Sequence, residues 1–395
     1  MILFTNNKSS RLDYILEFAR NFLTGKQFVV SSDVAEYRNY IGQKINYSPE
    51  RIADNEIWIK PCSLLFKKEI SEQNIECFEV NGYKAFFKTG GGYPFDIFAA
   101  SFYLLSRYEE YLTHQKDEYG RYSHTNSLAY TEGFLNLPLV NIWIKDLKQV
   151  INAQFPNFPT SNNQLFTFIP TYDIDEAWAY KNKVWWRNTG GALRDVLKGD
   201  LKRVATRLNV IRGKLQDPYD TYEWLDTLNE KYNLNPVYFF LAANKKGKFD
   251  KNISPANFQW QKLVKRHSEK YAAGIHPSWR SGDEPELLKS EITILEMISE
   301  RKIVGSRQHY IRFAFPETYR KLLEAGITED YSMGYGSING FRASVATHFI
   351  GMIWKRKKKH LYSLILSVSW MPIHIMNISL LPNKLTKNLC TIIIQ

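Results

Sequence analysis

The chain has 395 residues, 44% of them hydrophobic and 15% aromatic, which is enough for two domains with separate cores and excludes a disordered or fibrous chain. Its net charge of +12 would suit nucleic acid or an anionic membrane, but residues 348–395 carry seven Lys/Arg and no acid. The remainder holds 45 basic against 40 acidic residues and no nucleic-acid-binding motif, so neither nucleic acid nor membrane is expected as a partner.

The opening run Met1-Ile2-Leu3-Phe4-Thr5-Asn6 reads as a first strand, since no basic segment and long apolar run mark a signal peptide. Cys62, Cys77 and Cys390 have neither CxxC spacing nor an even count. No disulfide framework or structural zinc site is expected, and the predicted compartment is the cytoplasm. Residues 1–160 read as a mixed α/β domain with short strands at 27–30 and 56–59. After Gly90-Gly91-Gly92, the spacing of Phe98, Phe102, Leu105, Tyr108 and Leu112 predicts a helix. Arg107, Glu109 and Glu110 are expected on its solvated face.

Residues 155–164 have the Pro, Asn, Ser and Thr composition of a linker, and a second domain is expected over 165–347. Strands are predicted at 165–172, 237–241, 270–276 and 303–310, with Trp224 and Leu225 in a helix between. A further helix is expected from Pro316 to a stop at Gly326, matching the helix-end preferences of Pro and Gly. Alternating strands and helices indicate a parallel sheet or barrel, whose chemistry sits where strands end.

Four strand ends carry reactive side chains: Thr171-Tyr172-Asp173-Ile174-Asp175, Gly274-Ile275-His276-Pro277-Ser278-Trp279, Ser306-Arg307-Gln308-His309-Tyr310 and Asp330-Tyr331-Ser332. Singly, each could be a helix cap or a hydrogen-bonded structural residue. Together, Asp and His at one barrel mouth suit a divalent metal or acid/base work.

Their order resembles the polysaccharide deacetylases, carbohydrate esterase family four, and in particular a bacterial branch with an added N-terminal domain of unknown function. The resemblance covers about 166 to 347, while 95–112 and Ser127-Leu128-Ala129-Tyr130 are similar to that N-terminal domain. It implies an α/β chain whose second domain is a distorted, incomplete (β/α) barrel. In that family a Thr-Phe-Asp-Asp run supplies a general base and then a metal ligand. Thr171, Tyr172 and Asp173 match, which implies Asp173 as the base. Ile174 takes the next position and the acid follows as Asp175. Residues two apart on a strand share a face, so Asp175 can still reach the metal.

The family's second motif has two His four residues apart. His276 matches the first, but Arg280 stands at the second. His309 can replace the lost ligand, and Arg307 matches the Arg that orients the base. An Asp175–His276–His309 set suits zinc or a similar ion and leaves a coordination position open. No residue matches the family's general-acid His. The resemblance thus implies metal-assisted N-deacetylation of an N-acetylated sugar or glycan. The alternative is a non-catalytic carbohydrate-binding or structural module on the same fold.

The tail, 348–395, is expected to be non-native, the same gene read in a shifted frame. Back-translation of 380–393 can yield TPEQAYEEFMHYYN in the neighbouring frame, a string with a helix N-cap and Pro at the first helical position. The basic run 355–359 followed by uncharged 360–381 imitates a membrane span, but two His, an Asn and a Pro make it a poor one. The frameshift reading expects 348–395 to be disordered or poorly packed, beside an exposed barrel edge.

Overall fold

The computed structural model describes residues 1–25, 27–158, 167–353 and 363–366. The fold is mixed α/β with parallel sheets. Contacts divide the chain into two units. The first is Met1–Leu165 with Phe313–Tyr319 and Tyr331–Gln395, and the second is Phe166–Arg312 with Arg320–Asp330.

In the first unit, strands Val29–Ser31, Ile2–Phe4, Lys44–Asn46 and Ile57–Trp58 lie side by side in that order, all parallel. The helix Ser10–Leu23 starts where Ser9 Oγ accepts the Leu12 N–H. Asp96 caps the fully buried helix Ile97–Leu105 through Ala99 N–H, 2.9 Å away. The predicted helix over Phe98–Leu112 ends early, because Arg107 adopts φ +52° and a short 3₁₀ turn, Tyr108–Tyr111, follows. The expected solvated face is corrected as well: Arg107, Glu109 and Glu110 are buried. Arg107 pairs with Glu109 at 2.6 Å and with Glu110 at 2.8 Å, and Arg342 pairs with Glu110 at 2.6 Å. Glu109 also accepts the Leu128 N–H, and Arg342 donates to the Gly334 carbonyl. Four buried charges persist because each has an opposite charge and further hydrogen bonds.

The second unit holds five parallel strands in sequential order: Thr171–Ile174, Val237–Phe240, Ala272–Ile275, Gly305–Ser306 and Glu329–Asp330. Each strand lies beside its predecessor with no switch point in the order. Parallel pairing also puts every C-terminal strand end on one side. Val237–Phe240 is buried on both faces, as its continuous apolar run requires. Gly274 permits a close approach, since a Cβ there would stand 2.5 Å from the Phe239 ring.

The strands predicted for the second unit are all shorter than expected, and two of them have identifiable causes. Thr171–Ile174 begins only after Pro170, which has no N–H for the ladder; its carbonyl accepts from Val237. Residues 165 and 166 of that expected strand lie outside the described residues. Gly305–Ser306 replaces 303–310, because the chain turns at His309–Ile311 with Tyr310 and Ile311 at φ +58° and +52°. The helix expected from Pro316 is found as Glu317–Glu324.

The start of the tail also corrects an expectation. Phe349–Met352 is a strand paired antiparallel with Ser363–Leu366, and Phe349, Met352 and Ile353 are buried. Tyr111 Oη donates to the Met352 carbonyl at 3.2 Å. This apolar run finds a strand partner and packs. Residues 354–362 and 367–395, with the expectations placed on them, lie outside the described residues. Among the described residues no helix is long and apolar enough to cross a membrane.

Candidate metal centre

Asp175 follows the Thr171–Ile174 strand, His276 follows Ala272–Ile275, and His309 lies three residues beyond Gly305–Ser306. All three reach one point at the C-terminal side of the sheet. One ligand-type atom from each lies within 4.8 Å of the other two. Asp175 Oδ1 stands 3.0 Å from His276 Nε2, and Asp175 Oδ2 stands 3.7 Å from His309 Nε2. The two imidazole rings are 5.0 Å apart, and both His side chains are buried.

Burial alone would raise the Asp175 carboxyl, but hydrogen bonds and charge from His276 and His309 hold it well below the usual carboxylate range. Burial opposes a charged His309 ring, yet Asp175 and Asp250 outweigh it and push His309 up to about 9. One carboxylate oxygen and two imidazole nitrogens gathered within 4.8 Å of one another are the donor set a divalent cation takes, so these residues fit one.

Asp173, two residues before Asp175, has its Oδ1 3.4 Å from Arg307 Nη1. Arg307 is itself fixed, its guanidinium 5.2 Å above the Phe239 ring. Asp330, at the last strand end, is turned into the core, where it accepts from Ser306 Oγ at 2.8 Å. Arg280 pairs its guanidinium with Glu284 at 2.9 Å, both side chains being substantially exposed.

Sequence reasoning missed Asp250. Its fully buried carboxylate stands 3.3 Å from His309 Nδ1 and accepts from Trp279 N and Gly247 N at 2.9 and 2.7 Å. Burial would raise its pKa, but His309 and the two backbone donors lower it. One signal was available: a lone acid after Lys245-Lys246-Gly247-Lys248-Phe249, in the loop following the one strand whose end had drawn no attention. Glu291, buried on the helix Pro285–Ser299, accepts the Ser278 N–H at 3.0 Å and anchors the loop after His276. Phe249 and Trp279 pack 4.2 Å apart, and Tyr310 stands 5.9 Å from Trp279, so an aromatic wall borders the centre.

Residues 1–156 match the model of a family of unknown function, DUF7033. No curated protein matches the chain. Among solved structures, the chain is similar to a protein from Mycobacterium smegmatis assigned as a polysaccharide deacetylase. The two are 14% identical with a TM-score of 0.30, over 54% of this chain and 70% of that one.

Proposed function

We propose that the second unit is a metal-dependent hydrolase that removes the acetyl group from an N-acetylated sugar or glycan. One observation carries the reading: Asp175, His276 and His309 meet at the strand ends, with Asp250 behind His309. Asp175, His276 and His309 would hold a divalent ion, with zinc the best match to an oxygen and two imidazoles. Such an ion supplies Lewis-acid polarisation of the amide carbonyl when bound.

The chain's own residues do the rest. Asp173 is the base that takes a proton from the attacking water, and the same carboxyl returns that proton to the sugar nitrogen as the C–N bond breaks, giving acetate and the free amine. Arg307 acts through Asp173 as a positioning residue, holding the carboxylate in place. Asp250 accepts a proton-bearing Nδ1 from His309, which leaves Nε2 as the ligating atom. The aromatic wall of Phe249, Trp279 and Tyr310 offers apolar faces for a sugar ring. That wall also favours the second reading, a module that binds sugar without turnover.

Acetate release from N-acetylglucosamine oligomers, with zinc supplied, separates the two. Release by the native chain, with a drop of at least about a hundredfold in Asp173→Asn, supports hydrolysis. Sugar binding with one zinc per chain and no acetate supports the module.

A further inference from the structure

Between the Thr171–Ile174 and Val237–Phe240 strands lies a helical hairpin, Trp185–Leu197 and Leu201–Ile211, whose amphipathicity is inverted. Its buried side holds charge. Asp195 and Arg207 pair at 2.6 Å with both side chains buried, and the Arg207 guanidinium lies 4.6 Å above the Tyr180 ring. Gly191 admits this arrangement, since a Cβ there would meet that guanidinium at 2.7 Å.

The outward side is apolar. Trp186, Leu193 and Leu197 share one helix face by their spacing and are 60%, 62% and 79% exposed. Leu201 and Leu208 form the matching stripe on the second helix, and Trp185 adds a ring that is 76% exposed. Water-facing stripes of this kind mark a surface that something covers.

Charge identifies the cover. Residues 184–215 hold eight Lys/Arg against only Asp195 and Asp200. Six of those basic groups are exposed, Arg194, Lys198, Lys202 and Arg212 among them. Outside the tail the charge, averaged along the chain, gave no reason to expect an anionic partner; the hairpin concentrates basic groups beside the apolar stripes. We propose that this hairpin docks on an anionic phospholipid bilayer. Trp and Leu would enter the interface while Lys and Arg meet the headgroups. Helices of 13 and 11 residues reach about 20 Å or less, against a hydrocarbon core of about 30 Å, so they lie on the bilayer rather than cross it.

Co-sedimentation of the full chain with phosphatidylcholine vesicles, with and without phosphatidylglycerol, tests this. Binding is expected to the mixed vesicles, with a blue shift in tryptophan emission. The triple variant Arg194→Gln, Lys198→Gln, Lys202→Gln should bind on the order of a hundredfold more weakly. Trp185→Ser with Trp186→Ser should abolish the blue shift while the far-ultraviolet circular dichroism stays native. No sedimentation with mixed vesicles, or binding that neither variant weakens, would overturn the proposal. So would a dimer in gel filtration that dissociates when Leu193 and Leu197 become Ser, or tight binding to duplex DNA without lipid binding. These would make the cover a second copy or a nucleic acid.

Discussion

The Asp250 carboxylate stands 3.3 Å from His309 Nδ1, while the opposite ring nitrogen lies 3.7 Å from Asp175. The imidazole is thus held between two acids, one on the ligand side and one behind. Asp250→Asn keeps the acceptor for Trp279 N–H and removes the charge. Zinc affinity should fall roughly 10- to 100-fold by calorimetry, with the fold retained. An unchanged affinity would show that Asp250 anchors only the loop.

Arg280 occupies the place of an expected second His, yet its guanidinium pairs with Glu284. Both side chains are substantially exposed, so the pair contributes at most about 1 kcal/mol. Arg280→Ala should therefore alter zinc affinity less than about twofold and thermal stability only slightly. A large gain in affinity would mean that Arg280 does oppose the ion.

In the first unit, Glu110 accepts from Arg342 at 2.6 Å with both side chains almost wholly buried. Glu110→Gln leaves Arg342 buried without its counter-charge and should destabilise the chain by about 3–5 kcal/mol in denaturant unfolding. A cost below about 1 kcal/mol would mean that the pair contributes little.

The same pair predicts a pH response. Burial would raise the Glu110 carboxyl, but Arg342 and Arg107 outweigh it and lower it to about 2. A depressed folded-state pKa stabilises the fold above the ordinary value of 4.5, and this stability is lost as pH falls towards 2. Denaturant midpoints measured between pH 5 and 2 should fall less steeply for Glu110→Gln than for the native chain. Parallel slopes would contradict that assignment.

Much of the second unit was legible because period and punctuation agree there. The 237–241 run is apolar throughout and was found as a buried strand, Val237–Phe240. Asp175, His276 and His309 could be grouped in advance because parallel strands deliver their C-terminal ends to one side. Asp250 was invisible to that logic, since it reaches His309 from a loop with no strand-end signature. Arg107, Glu109 and Glu110 were misread for a related reason. Helical spacing cannot reveal a partner such as Arg342, which lies 232 residues beyond Glu110. At the start of the tail it is the packing of 349–353 that departs from expectation, because a short apolar run needs only a paired strand.

The decisive measurement is the zinc content of the purified chain after equilibration with the metal and removal of excess. Asp175, His276 and His309 acting together predict close to one ion per chain in the native protein. Because a three-ligand site loses too much binding free energy with one ligand gone, His276→Ala should retain almost none. Equal occupancy in the two proteins would contradict the metal centre, and the absence of zinc from both would leave the sugar-binding module as the reading of the second unit.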